Sequence, residues 1–399
     1  MMHEFTYCVP TKVVFGEGTV ARVGELVQQQ DAKRVLVVYG GGSAIRSGLL
    51  GIVCKALEDN GVTYQTLGGV QPNPRVSLAR QGVKQALRMQ AELILAVGGG
   101  SVIDTSKAIA HGTANPETDL WEFWKGRKPL TKSLPVGVVL TIPAAGSETS
   151  DSAVLTNEEQ SEKRGLNTEL NRPAFAILDP ALAATLPGRQ VACGVVDIMM
   201  HTMDRYFNPV TNNDMTDEVA EALLRVVIRH GPAAVAEPTD TAAMSEIMWA
   251  GSLSHNGLTG LGGQKDFAPH QLGHALSEKF DVYHGESLSS IWSSWAEYVM
   301  PTDPARFARF AEKVWGICGG TELEKAGAGI AAAKAFFKSI RMPVCIEELP
   351  CGAQTEEGLN DLALRCSFQK TRSIGTFRKL SYEDILAVYH MANKKGDAE

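Results

Sequence analysis

The chain lacks the features that mark nucleic-acid-binding and membrane proteins. Its 399 residues hold 38 Lys and Arg against 45 Asp and Glu, a net charge of −7, with no basic run. That balance excludes the electrostatic footprint of a nucleic-acid binder. No apolar stretch reaches the length of a membrane span, and the opening MMHEFTYCVPTKVVF has no signal-like apolar core, so a soluble protein is expected. Cysteine is sparse and odd in number: seven residues (8, 54, 193, 318, 345, 351, 366) without a C-x-x-C pair. This argues against a disulfide scaffold or a thiolate zinc cage, and a reducing cytoplasm is the expected setting. Cys193 lies four residues before Asp197 but reads as a small core residue rather than a ligand. With 44% hydrophobic and 21% charged residues, the chain has ample material for large cores, and its length predicts two domains.

The first 184 residues alternate strand and helix. The run Arg34–Tyr39 is apolar and ends in glycines, as buried parallel strands do. A helix to about residue 60, the strand VTYQTL, a periodic helix Val76–Met89, LILAVGGG, a helix from Ser101 and the strand VGVVLTIP follow. This β-α-β-α-β order predicts an α/β domain with a doubly wound parallel sheet, Rossmann-like, over residues 1–184. Residues 185–399 read as an all-helical domain, with helices near 191–207, 216–230, 240–258, 268–280, 286–300, 304–316, 322–340, 355–366 and 381–393. Gly231-Pro232 is expected to stop the second of these, because proline cannot continue a helix.

The chemistry-bearing pattern lies in the second half. Asp197 and His201, in GVVDIMMH, are four apart and share a helix face. His270 and His274 repeat that spacing in PHQLGH, and His284 follows in VYHGES. Asp197, His201, His270 and His284 form a borderline donor set that suits one Zn or Fe(II) ion better than Ca or Mg. Such a site can still accept a substrate oxygen by expanding to five-coordinate.

GGGS occurs twice, at Gly40–Ser43 and at Gly98–Ser101, each between a predicted strand and a predicted helix. Neither is a G-x-G-x-x-G, so the standard dinucleotide fingerprint is not present at either turn. Glycine still permits close backbone approach to a phosphate, and a helix N-terminus offers free N–H donors. Two such turns in one sheet point to a bound phosphate at the carboxyl ends of strands. Asp104 and Lys107 fall in the first turns of the second helix, where Asp104 also suits the helix dipole. TIPAAGSETSDS, from Thr141 to Ser152, adds small hydroxyl residues after the fourth strand.

Together PTKVVFGEGT, YGGGSAIRSG, PNPRV, AVGGGSVIDTSKAIA, TIPAAGSETS, AILDP, LPGRQVACGVVDIMMHTMDRY, PHQLGHALS and YHGES resemble the iron-containing (group III) alcohol dehydrogenase family. YGGGS is most similar to its butanol dehydrogenase and aldehyde reductase branch. The resemblance implies a dehydroquinate synthase-like fold, a homodimer and a nicotinamide cofactor. It implies that Asp197, His201, His270 and His284 bind the metal, and that His274 lies near the nicotinamide without ligating. Gly41, Gly42, Ser43, Gly98, Gly99, Ser101 and Asp104 are implied cofactor contacts, and Asn73, Thr141, Ser150 and Lys163 are implied to line the rest of the cleft. Lys163 is the least anchored, in EEQSEKRG. Ser150 stands where the branch commonly has Asn, and ESLSSIWSS replaces the usual proline-bearing helix start after His284.

The implied reaction is hydride transfer between NAD(P) and a primary alcohol or aldehyde such as butanol or butanal. NADP is expected over NAD, because strand Val35–Tyr39 ends without the acidic residue that bonds a ribose 2′-OH. Ser43 and Arg46 are placed to bond a 2′-phosphate instead. A metallohydrolase is the rival of another class, since HQLGH has the zincin spacing, but Gln271 stands where that mechanism needs a glutamate. A glycerol dehydrogenase, another polyol dehydrogenase or a dehydroquinate synthase is the rival within the fold.

Overall fold

Val35, Leu36, Val37 and Val38 are fully buried, and the strand they form is one of six in a parallel sheet. The computed structural model describes residues 3–160, 162–210 and 212–394. Within the first unit, Cys8–Leu186 with Pro238–Asn256, the strands are β1 Lys12–Phe15, β2 Arg34–Gly40, β3 Thr63–Val70, β4 Leu93–Gly98, β5 Val136–Leu140, β6 Ser152–Asn157, β7 Glu162–Asn167 and β8 Phe175–Leu178. The sheet order is β1-β8-β5-β4-β2-β3, every pairing parallel. Helices α1 Val23–Gln28, α2 Ser43–Arg46, α3 Leu49–Asp59, α4 Val76–Met89, α5 Gly100–Ala114 and α6 Trp121–Trp124 alternate with the strands. Every residue of β4 and β5 is buried, as a strand covered on both faces requires. The doubly wound parallel sheet expected from the sequence is the sheet observed.

The sequence reading did not include β1, β8 or the antiparallel hairpin β6–β7. KVVF and FAIL are only four residues each, too short to show a period. They become strands because Lys12 to Phe15 pair with Phe175 to Leu178.

The remaining helices are α7 Gly188–Tyr206, α8 Asp214–Ala236, α9 Thr241–His255, α10 Ala268–Phe280, α11 His284–Val299, α12 Pro304–Trp315, α13 Glu322–Ser339, α14 Glu356–Cys366 and α15 Tyr382–Asn393. All but α9 belong to the second unit, which comprises the residues up to Tyr7, Pro187–Glu237 and everything from Gly257. A single division at 184/185 therefore differs from the observed one, because Pro238–Asn256 packs into the α/β unit. There Ser252 Oγ donates to Glu148 Oε1 at 2.5 Å, Thr149 Oγ1 donates to Ser252 O, and His255 Nδ1 lies 2.7 Å from Ala145 O. These bonds dock α9 on the loop after β5, and local periodicity carries no trace of them.

Gly231-Pro232 does not end its helix. α8 runs on to Ala236 with Pro232 inside it. The clash that normally expels a helical residue before proline involves that residue's Cβ, and Gly231 has none. The helical unit is centred on Phe207, which stacks on Phe307 at 4.4 Å and meets Phe310 and Trp295 edge-on. Capping boxes at Thr321–Glu324 and Ser381–Asp384 start α13 and α15, each satisfying two otherwise orphan N–H groups.

Candidate metal centre and nucleotide turns

Helix α7 carries Asp197, His201 and Asp204 at i, i+4 and i+7, one stripe of a buried helix. Pro269 stands at the start of α10 and fixes its first turn one residue before His270. His284 is the first residue of α11. These elements bring three imidazoles around one carboxylate oxygen. From Asp197 Oδ1 the distances are 3.5 Å to His201 Nδ1, 3.5 Å to His270 Nε2 and 3.7 Å to His284 Nε2. Tetrahedral ligands bonded at about 2.0–2.2 Å to one ion stand roughly 3.4 Å apart, so the spacing fits a single divalent ion. The ligand atoms of Asp197, His201 and His270 lie within 4.8 Å of one another, and all three residues are buried. His284 is the most open of the four, its side chain 30% exposed.

The burial favours positive charge at the centre. Asp197 Oδ1 and His270 Nε2 have no hydrogen-bond partner among the described residues, an arrangement that is costly unless an ion engages both. Burial pushes the His270 imidazole down, but the carboxylates of Asp204 and Asp197 push it further up, to about 9. The pocket thus favours positive charge at Nε2, which a divalent ion supplies more strongly than a proton.

Asp204 is the site residue that sequence reasoning missed. Its Oδ2 accepts from His270 Nδ1–H at 2.5 Å, which leaves Nε2 as the free ligand nitrogen, the usual carboxylate–histidine support of a metal ligand. Asp266 stands behind it. Its backbone N–H donates to Asp204 O at 2.8 Å, and its carboxylate accepts from Ala268, Thr376 and Phe377 N–H groups. Burial and the Asp204 charge raise the Asp266 carboxyl to about 6. The +7 spacing of Asp204 from Asp197 was the available signal. Asp204→Asn keeps an acceptor but removes the charge, so metal affinity is expected to fall about 10–100-fold, measured by competition with a chromophoric chelator. Unchanged affinity would show that Asp204 only packs.

His274 sits one turn beyond His270, its ring 6.2 Å from that of His270 and 5.3 Å from that of His284.

In the α/β unit, Gly98 ends β4 and Gly99 caps α5. A Cβ on Gly98 would come 2.5 Å from Val102, and one on Gly99 2.9 Å from Ile142, so only glycine allows so sharp a strand-to-helix turn. Ser101 lies in the first turn of α5, whose leading N–H groups have no intrahelical acceptor. Thr141 joins this turn through its N–H to Gly98 O. In the other turn Gly42 has φ 113°, with Gly41 before it and Ser43 after, and Arg46 Nη1 lies 3.3 Å from the Cβ position of Gly42. Lys163 Nζ donates to Asn73 Oδ1 at 3.0 Å, a pair brought together from β7 and the loop before α4.

Asp104 and Ser150 are tied to the chain itself. Asp104 accepts from Ser147 Oγ at 2.6 Å and from Val154 N–H at 2.9 Å. Ser150 is buried and bonds Ser152. Lys107, fully buried, donates to Ser147 O, Ser147 Oγ and Ser152 O at 2.7–2.8 Å. Burial lowers its ammonium to about 8 against the pull of Asp104 and Glu148.

Residues 10–180 match the family described as iron-containing alcohol dehydrogenase, and residues 191–393 match the C-terminal domain of the Fe-containing alcohol dehydrogenase family. The chain belongs to the iron-containing alcohol dehydrogenase family. Among its relatives is the NADH-dependent butanol dehydrogenase A of Clostridium acetobutylicum, 36% identical over 97% of this chain and 99% of that protein. The NADPH-dependent aldehyde reductase YqhD of Escherichia coli is also 36% identical, over 87% of this chain and 89% of its own. The crystal structure of NADH-dependent butanol dehydrogenase A from Thermotoga maritima superimposes with a TM-score of 0.94 at 33% identity, covering 98% of this chain and 99% of the other. As an iron-containing alcohol dehydrogenase of this branch, the chain has in Asp197, His201, His270 and His284 a donor set suited to the ion in the family's name.

Proposed function

We propose that this protein is an NAD(P)-dependent alcohol dehydrogenase that reduces aldehydes such as butanal, or oxidises the corresponding primary alcohols. The observation that carries the reading is the convergence of three imidazole nitrogens on Asp197 Oδ1. Cofactor binding is assigned to the α/β unit, Cys8–Leu186 with Pro238–Asn256, and metal binding to the helical unit.

Asp197, His201, His270 and His284 would hold one Fe(II) or Zn(II) ion. When bound, the ion supplies a Lewis acid for the substrate oxygen and the nicotinamide supplies the hydride. The chain's own residues do the rest. Asp204 orients His270 and offsets the ion's charge. Gly98, Gly99 and Ser101 offer backbone donors to the pyrophosphate at the α5 N-terminus. Asn73, Asp104, Thr141, Ser150 and Lys163 shape the remainder of the cofactor site. His274 is assigned the proton delivered to the product oxygen.

NADPH is the proposed preference. Gly41, Gly42 and Ser43 present no carboxylate to a 2′-phosphate, and Arg46 lies folded beside Gly42. A homodimer in a reducing cytoplasm is the proposed state. No described helix is long and apolar enough to cross a membrane.

The test is metal analysis of anaerobically purified protein, with steady-state kinetics on short aldehydes, primary alcohols and glycerol with each cofactor. About one iron or zinc per chain and butanal reduction with higher kcat/KM for NADPH are expected. Higher kcat/KM with NADH overturns the cofactor preference, and preferred turnover of glycerol overturns the substrate class. No nicotinamide-dependent turnover in metal-replete protein overturns the function.

A further inference from the structure

Of the four proposed ligands, His284 alone stands at the very start of a helix. It is the first residue of α11 and the most exposed. Helix ends fray unless something holds them. Two contacts hold this one to α7, the helix that carries Asp197 and His201. First, Gly285 seats on the backbone of Cys193, so closely that a Cβ would lie 2.5 Å from Cys193 O and 2.6 Å from its Cα. Second, Arg189, in the first turn of α7, places both Nε and Nη2 2.5 Å from Glu286 Oε1. The same guanidinium lies over the Tyr283 ring, 5.3 Å from its centroid. Arg189 therefore touches the residue before His284 and the residue two beyond it.

Glu286 is 4% exposed, and its Oε2 has no hydrogen-bond partner among the described residues. Only the carboxylate half of the pair is buried: the Glu286 side chain is 5% exposed and that of Arg189 58%, so solvent screens the charge attraction and the contact serves mainly to fix where the carboxylate sits. A planar, two-pronged contact also fixes direction as a lysine would not.

We infer that Arg189 is a positioning residue for the metal centre. Through Glu286 and Tyr283 it fixes the start of α11, and thereby holds His284 at its 3.7 Å spacing from Asp197. This rests on the reading of His284 as a ligand.

The experiment compares Arg189→Met, Arg189→Lys, the double variant Arg189→Met/Glu286→Met and His284→Ala. The readouts are Zn(II) affinity by chelator competition, the visible spectrum of the Co(II)-loaded protein, and thermal unfolding of the metal-free protein. Arg189→Met is expected to weaken Zn(II) binding about 10–100-fold, as loss of a ligand's support does, and to shift the Co(II) spectrum. Arg189→Lys is expected to recover only part of this. In the double variant the uncompensated carboxylate is gone, so metal-free stability returns while Zn(II) affinity stays low. That separation distinguishes positioning from mere support of the fold, and the double variant serves if Arg189→Met does not fold. Wild-type Zn(II) affinity in either methionine variant overturns the inference, whatever happens to stability. Wild-type affinity in His284→Ala overturns the ligand reading itself, and the clamp with it.

Discussion

His270→Ala is expected to leave the protein without its metal and without turnover. The side chain supplies Nε2 to the cluster and takes its orientation from Asp204 at 2.5 Å. Its removal takes away one of the four proposed ligands and leaves Asp204, fully buried, without that partner. Breaking a buried pair in this way destabilises by about 3–5 kcal/mol, so unfolding of the metal-free protein is followed in parallel. Asp197→Ala, His201→Ala and His284→Ala are expected to act in the same direction. Metal content by elemental analysis should drop from about one per chain towards zero, and butanal reduction should fall to background. NADPH binding, followed by fluorescence, should persist because the turns at Gly40–Ser43 and Gly98–Ser101 are untouched. A His270→Ala protein that keeps its metal and near-normal activity refutes the ligand assignment.

His274→Ala is expected to have the second-largest effect and a different signature. The ring stands 5.3 Å from His284 and 6.2 Å from His270, beside the cluster rather than in it. An aldehyde that accepts hydride must also accept a proton, and imidazole ordinarily exchanges one near neutral pH. The variant should keep its metal and bind cofactor, yet lose turnover by about 10²–10⁴-fold, the usual worth of positioned acid–base catalysis. Its pH–rate profile should flatten over the range in which the wild type changes. Wild-type pH dependence with most of the turnover retained would make His274 a packing residue.

The two variants thus part on one measurement, metal content. Ligand loss removes the ion and chemistry together, whereas loss of the relay leaves a loaded protein that turns over slowly.

Much of this was legible in order along the chain. Nearest-neighbour geometry is written into spacing: Asp197 and His201 share a face because a helix repeats every 3.6 residues. LILAVGGGS announces a buried strand, a turn and a helix start within nine letters. Apart from the end of α8, which runs on to Ala236, the helices of the second half fall within a few residues of their expected bounds, since each is set by its own apolar period and caps. The same rule extended one turn reaches Asp204. The chain alone could not reveal that its carboxylate meets His270, 66 residues away, because that depends on how α7 and α10 cross.

Other features were decided only by tertiary packing. Pro232 stays inside α8, because its predecessor Gly231 has no Cβ to clash with the proline ring. KVVF and FAIL become strands only as partners in a sheet, and Lys163 finds Asn73 only once the β6–β7 hairpin forms. Helix α9 reads like its neighbours yet belongs to the α/β unit, held by Glu148, Thr149 and Ala145. Sequence by itself determined the type of the longer elements, the two glycine turns between strand and helix and the candidate ligands, because period, glycine freedom and donor chemistry are local. Tertiary structure decided which buried carboxylate supports which imidazole and which helix joins which unit, because a hydrogen-bond partner distant in the chain is chosen by packing.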